Sequence, residues 1–326
     1  MYYLLQQVSI EQVGEALSRA QALPVVLLVA CVLGSLVTRA ARWQNYFLPR
    51  RQVPFKPLLG TLAISYMAST FLPLRAGELV RAVFLGQRQR IPVPGIVGTI
   101  LVEKLFDFLA IGVILAILLL TRAKDLPSAA VAAGTFITIT ILVGFAFVVA
   151  LAIWREPTLN LVGFVERHLP FGLRARLHLR DAALHFAEGT DSLRVGRLWA
   201  LLLAWTGITW LFSVGSTLAG MLSLNVTADL AAVLFVVVLT STGQAVPSSP
   251  GYVGVYHAAA TFALTTFGVD PATALGVALI THAFSYGSLV VVGLIALWTG
   301  GYTFNDVLKG SRSRGGVGPA TVSAEL

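Results

Sequence analysis

Residues 128–153 carry no Asp, Glu, Lys, Arg or Pro. A helix needs about 20 predominantly apolar residues to cross a bilayer, and this stretch is long enough to do so. Further apolar runs occupy 24–38, 95–120, 198–219 and 272–298. They are continuous rather than alternating, which reads as helix. The chain is therefore expected to be an all-α polytopic membrane protein. Composition agrees: 12% of residues are charged and 56% hydrophobic, whereas soluble domains hold about a quarter charged residues.

The formal net charge of +8 raises the question of a nucleic-acid partner. The basic residues lie beside hydrophobic segments, so they report topology and contact with anionic lipid instead, and no nucleic acid is expected. Arg39, Arg42 and Trp43, with Tyr46, follow the first run as an aromatic and arginine collar expected at the membrane interface. Arg50, Arg51 and Lys56 then place that end in the cytoplasm. Residues 154–197 form a basic, amphipathic insertion, also cytoplasmic by the positive-inside rule. The single cysteine, Cys31, excludes an internal disulfide and reads as packing. His168, His178 and His185 show no HxH or HxxxH spacing, so no metal is expected.

The domain reading follows. Residues 1–20 suit an interfacial amphipathic helix, 21–300 a single membrane domain, and the Gly/Ser-rich 301–326 a cytoplasmic tail. Within the domain, 24–120 and 198–298 repeat one order of elements: span, segment broken at Pro, Gly-containing kink, short apolar helix, Pro, long span. Pro73 to Gly77 matches Pro247 to Gly251 in spacing, and Pro73 to Pro94 matches Pro250 to Pro271. The halves are joined by the span 128–153 and the loop 154–197.

Arg50 and Arg51 before, and Arg88 and Arg90 after, put both ends of 57–86 on one side. Neither apolar arm is comfortably long enough to cross alone. The pattern is a re-entrant helical hairpin with its tip at PLRAGE, and its counterpart enters from the opposite face with its tip at PSSPG. An inverted repeat with two such hairpins is a transporter architecture. Tips leave backbone groups unpaired, tolerable where they are buried in protein or line a wet cavity. An ordinary bundle of kinked spans is the alternative.

Three groups of residues carry chemistry. Arg75 and Arg81 flank a helix start, where free amides, the helix dipole and guanidinium groups make an anion site. Glu78 either orients an arginine or forms a fixed pair with Arg81. Glu103 and Asp107 stand four residues apart on one helix face, suited to ion pairing or to proton coupling, with Lys104 facing elsewhere, to snorkel or to close a salt bridge with another helix. Gln244, Ser248, Ser249, Tyr252, Tyr256 and His257 give the second tip a nearly uncharged set of hydrogen-bonding groups. His282 reads as a helix-to-helix hydrogen bond.

RAARW (39–43), FLPLRAGELVRAVFL (71–85), LVEKLFDFLAIG (101–112) and PSSPGYVGVYHAA (247–259) resemble the lysylphosphatidylglycerol synthase transmembrane region. This is a flippase-like family of bacterial and archaeal inner-membrane proteins, and the resemblance covers roughly 24–298. It implies a lipid-handling domain in which Arg75, Glu78 and Arg81 form an RxGExxR signature, with Glu103 and Asp107 as acidic partners. His257 stands where the family pattern ends in Glu, which argues against a coupling scheme using two carboxylates. The family's first hydrophobic span is not matched at MYYLLQQ. No synthase domain follows residue 298 in this sequence.

The expected function is a lipid flippase or transporter for an anionic or phosphate-bearing lipid. The expected location is the inner membrane, with the N-terminus outside and the C-terminus in the cytoplasm. A membrane-embedded glycosyl- or phosphotransferase, or an accessory subunit, acting with a polyprenyl-phosphate or hopanoid lipid is the alternative. Expected partners are the membrane, the lipid and a separately encoded lipid-modifying enzyme; the sequence leaves the oligomeric state open. No Gly-rich nucleotide loop or acyl-transfer triad is found, so no cofactor is expected, and transport is expected to be downhill or ion-coupled.

Overall fold

A computed structural model describes residues 10–72, 76–122, 128–168, 179–227, 229–245 and 249–300. Every regular element among them is helical: α1 (Ile10–Ser18), α2 (Ala22–Tyr46), α3 (Phe55–Phe71), α4 (Ala76–Gln89), α5 (Val93–Arg122), α6 (Ser128–Ile153), α7 (Arg155–His168) and α8 (Leu179–Gly189). After a 3-10 turn at Asp191–Arg194 come α9 (Gly196–Ser223), α10 (Leu230–Ala245), a 3-10 turn at Pro250–Tyr252, α11 (Val255–Thr266) and α12 (Pro271–Thr299).

Five of these, α2, α5, α6, α9 and α12, are long and apolar enough to cross a membrane. The other apolar helices are shorter. α3 has 17 residues, α4 14, α10 16 and α11 12. At 1.5 Å per residue these reach roughly 18–26 Å, short of a hydrocarbon core about 30 Å thick. The protein is thus a multi-pass, all-α membrane protein built from two classes of helix.

The short helices work in pairs. α3 and α4 are in close contact at Gly77, where a Cβ would stand 2.1 Å from the Ser65 carbonyl oxygen. The Ser65 hydroxyl donates to the Gly77 carbonyl at 2.8 Å, so the backbones touch because no side chain intervenes. α10 and α11 pack together in the other half. Their connection turns through Gly251 (φ 62°) and Gly254 (φ 91°), left-handed conformations that glycine adopts without a Cβ penalty. The end of α3 packs on this second turn: a Cβ on Gly251 would meet the Thr70 carbonyl oxygen at 3.3 Å.

Two contacts set the rest. α2 packs along α9, and α12 along α3. Asp270 caps α12 by accepting from the Thr273 amide at 3.0 Å, with Pro271 in the first turn, a strong local start signal. The expected amphipathic insertion contains α7, α8 and the following 3-10 turn. α8 seats backbone to backbone on α5, since a Cβ on Gly189 would lie 2.0 Å from the Gly95 carbonyl oxygen. At the α6–α7 junction Arg155 reaches Asp191 at 3.4 Å. Arg50 also donates to Asp191, and that bond raises its pKa above the usual guanidinium value.

One expectation is corrected. Arg42, Trp43 and Tyr46 do not form a collar at the membrane surface. α2 continues through them, and Arg42 and Trp43 have no exposed surface. The reason is the carboxylate on α5: Arg42 donates to Asp107 at 2.8 Å and to the Thr206 hydroxyl at 3.2 Å. The Trp43 indole donates to Thr99 at 3.0 Å. These partners turn the side chains inward.

Candidate functional site

A cavity of about 290 Å³ lies among the long helices α2, α5, α9 and α12 and both short-helix pairs. That is near the lower end of small-molecule sites, about 300–1,000 Å³, and it suits a headgroup rather than a whole lipid. Its two sides differ in chemistry.

The first side is ionic and comes from α2, α4 and α5. Arg81 donates to Glu103 at 2.9 Å, and both side chains are at most 2% exposed. The Arg81 guanidinium also lies over the Trp43 ring, 4.7 Å from its centroid. Stacking of this kind occupies the face of the guanidinium and leaves its in-plane N–H groups for hydrogen bonds. Asp107 receives Arg42 at 2.8 Å and Arg39 at 3.3 Å. Lys104 reaches Glu78 at 2.8 Å, with Glu103 at 3.9 Å.

Two expectations change here. Glu78 and Arg81 do not form the fixed pair considered from sequence: Arg81 pairs with Glu103, and Glu78 pairs with Lys104. Lys104 lines the cavity rather than facing away from it, and its ion pair with Glu78 of α4 is the expected bridge to another helix. One step along a helix turns the side chain about 100°, yet the long lysine stem carries Nζ back to the mouth. Arg75 lies outside the described residues.

Among the described residues, four cations (Arg39, Arg42, Arg81, Lys104) stand against three carboxylates (Glu78, Glu103, Asp107). The cluster therefore carries an excess positive charge within apolar surroundings, where charge interactions are strong. Buried polar groups are normally hydrogen-bonded. Here, Arg81 Nε and Nη2 and Glu103 Oε1 have no protein hydrogen-bond partner.

The second side is neutral and comes from α9–α12. Gln244 accepts a 2.7 Å hydrogen bond from the Tyr286 hydroxyl, and Tyr252, Tyr256 and Tyr286 form an aromatic surface. Trp210 and Thr281 complete it, each with a buried polar atom lacking a protein partner, Nε1 and Oγ1 respectively. His257 stands behind this surface. Its Nδ1 accepts from the Gly254 amide at 3.2 Å, and its ring lies 4.6 Å from His282. His282 Nε2 donates to the Gly251 carbonyl at 2.7 Å, tying α12 to the tip. Ser249 is exposed and donates to the Val253 carbonyl. Ser248 lies outside the described residues.

The structure thus gathers Glu78, Arg81, Glu103, Lys104, Asp107 and Arg39 on one wall, and Gln244, Tyr252 and Tyr256 on the other. Trp210 and Tyr286 were not singled out from sequence. Each is an aromatic with a polar tip inside a long apolar run, and such a tip requires a partner when buried. Among the described residues no group of His, Cys, Asp and Glu is arranged to hold a metal.

The model of the "Lysylphosphatidylglycerol synthase TM region" matches residues 1–293. The chain belongs to this family. The match extends closer to the N-terminus than the motifs alone suggested. The glycosyltransferase AglD of Haloferax volcanii is 27% identical over 264 residues, covering 73% of this chain. That alignment spans 42% of AglD, about two fifths of its length. A UPF0104 membrane protein of Methanocaldococcus jannaschii is 23% identical over 232 residues, covering 71% of this chain and 92% of that protein. No solved structure matches.

Proposed function

We propose that the protein moves a lipid with an anionic, phosphate-bearing headgroup between leaflets of the inner membrane. The observation that carries this reading is the cation-rich cavity enclosed by apolar helices. A phosphate has acceptor oxygens for Arg81 and Lys104, and bidentate arginine contacts are among the strongest such bonds. The acyl or prenyl tails stay in the hydrocarbon outside while the headgroup crosses in the cavity.

The two short-helix pairs act in this reading as re-entrant hairpins of an inverted repeat, with their tips at the midplane. In this reading the N-terminus is outside and the C-terminus in the cytoplasm, which the arginines at 50, 51, 88 and 90 support by the positive-inside rule. By its place in the sequence, Arg75 is read as a further cation for the headgroup. The cargo reaches the protein from a separately encoded lipid-modifying enzyme.

The test is a leaflet-accessibility assay in proteoliposomes with fluorescent phosphatidylglycerol. Lys104→Met and Arg75→Ala are expected to slow movement at least tenfold while remaining inserted and monodisperse. Wild-type movement in both inserted variants would end the anion-site reading. A second reading has one finding in its favour, the glycosyltransferase name of a relative matched over part of its length. It requires transfer of a sugar to or from a polyprenyl phosphate by the purified chain, which thin-layer chromatography of labelled lipid detects.

A further inference from the structure

Outside the cavity, α7 divides its surface among three environments. On one side Leu159 is buried, Val162 and Gly163 are half-buried, and Arg180 of α8 lies close, 3.6 Å from where a Cβ on Gly163 would stand. The Glu166 carboxylate accepts from the Arg180 amide at 3.0 Å, and Arg155 ties the start of the helix to Asp191. This side faces protein. Glu156, Asn160 and Arg167 are exposed and suit water. The third side is apolar and equally open: Leu161 is 63% exposed, Phe164 54% and Val165 48%. Pro157 extends it, and Trp154, 66% exposed, stands one residue before the helix.

These five positions follow the helical spacing i, i+3, i+7, i+10 and i+11, an arc about 100° wide. The surface helices α1 and α8 spend their residues differently. On α1, Val13 and Leu17 are half-buried, and Leu17 packs on the core. α8 exposes only Arg180 and Asp181. An apolar arc of this size on a surface helix marks a contact with something outside the chain.

Continuity says what that is. α6 can cross a membrane, and its last turn exposes Leu151 and Ile153. Pro157 has no N–H for the Ile153 carbonyl, and its ring crowds that group, so α6 stops there and α7 starts as a separate helix. The lipid-facing surface of α6 passes through Leu151, Ile153 and Trp154 straight into the open arc. Tryptophan is enriched where a membrane meets water.

We infer that α7 lies in the plane of the membrane on the side of the basic insertion, and that its partner is the lipid surface itself. Trp154, Leu161, Phe164 and Val165 sit at the boundary of headgroups and acyl chains, as an interfacial amphipathic helix does. The inference goes beyond the transport reading and does not depend on what the cavity carries. It has one consequence for the site. α8, fastened to α7, seats on α5 at Gly95 and Gly98, and α5 bears Glu103, Lys104 and Asp107. The leaflet therefore braces the helix that carries the ionic wall.

The test uses the full chain with Cys31→Ala, reconstituted in nanodiscs of phosphatidylcholine and phosphatidylglycerol. A nitroxide is attached through Leu161→Cys or Asn160→Cys, both at exposed positions where a label leaves packing intact. Power-saturation EPR compares collisions with oxygen, which concentrates in lipid, and with a water-soluble nickel chelate. The oxygen-to-nickel ratio is expected to be severalfold higher at 161 than at 160. Equal, water-like ratios at the two positions overturn the proposal. Low collision rates with both reagents at 161 mean that protein covers the arc, a second copy or another chain, and overturn it as well. A second measurement needs no label. Lipid brominated near the top of its acyl chains is expected to quench the fluorescence that Trp154→Phe removes. If that component escapes quenching, Trp154 is not in the interface and the placement of α7 fails. Either failure leaves the transport reading standing, since none of these residues lines the cavity.

Discussion

The two walls of the cavity are held together by different chemistry. On α4 and α5, charged side chains neutralise one another: Arg81 with Glu103, Arg42 and Arg39 with Asp107, Lys104 with Glu78. On α10–α12, the tip is held by imidazoles bonded to backbone, His282 to Gly251 and His257 to Gly254, and by the edge-to-face contact of Tyr256 with Tyr286. Loss of Arg81 or Glu103 on the first wall leaves a buried charge. Loss of one partner on the second leaves a neutral group. The contrast can be tested by substitution.

The largest effect belongs to Arg81→Ala, which strands Glu103 at 1% exposure. Breaking a buried pair this way costs about 3–5 kcal/mol, so the variant should fail to accumulate as a monodisperse peak on size exclusion. Arg81→Met combined with Glu103→Leu removes both charges and should accumulate normally, yet move no lipid. If that double variant transports at the wild-type rate, the ionic wall is only a fastener and the functional contrast collapses.

Next comes Gly77→Ala, whose Cβ would enter within 2.2 Å of Ser69 Oγ and still closer to the Ser65 carbonyl. Overpacking of this kind costs about 1–3 kcal/mol, and the melting temperature in detergent should fall accordingly. An unchanged melting point would mean that α3 and α4 are free to part.

Tyr286→Phe removes the 2.7 Å hydrogen bond to Gln244 and keeps the ring stack. A loss of about 1 kcal/mol is expected, clearly smaller than that of Arg81→Ala on the same melting assay. A loss equal to that of Arg81→Ala would erase the distinction between the walls. The smallest stability effect should be that of Glu78→Gln. Its partnership with Lys104 sits at the mouth, with side chains 30% and 27% exposed, so solvent screens it. The expected change is below about 1 kcal/mol, read as a melting curve nearly superposed on the wild type.

Much of the fold is legible because a bilayer leaves few options. The apolar runs at 128–153, 198–219 and 272–298 sit within α6, α9 and α12, since length and polarity alone decide whether a helix can cross. The short helices were also readable from Pro, Gly and charge at their ends. Glu103 and Asp107 were recognisable as partners for cations because four residues bring them to one helix face.

Pairing was not legible. Arg42 and Trp43 look like interfacial residues in a linear reading, for arginine and aromatic side chains commonly mark a membrane surface. Only the packing of α2 on α5 and α9 turns them inward to Asp107, Thr206 and Thr99. Likewise the choice of Glu103 rather than Glu78 for Arg81 depends on where α4 crosses α5. Trp210 and Tyr286 entered the site because α9 and α12 converge on the cavity, at sequence separations no local pattern records. The sequence by itself determined that the chain is helical and lies in a membrane, because hydrocarbon tolerates little else. Which cation faces which carboxylate, and which aromatic tips close the cavity, the tertiary structure alone decided, because a hydrogen bond depends on distances of a few tenths of an ångström between groups far apart in the chain.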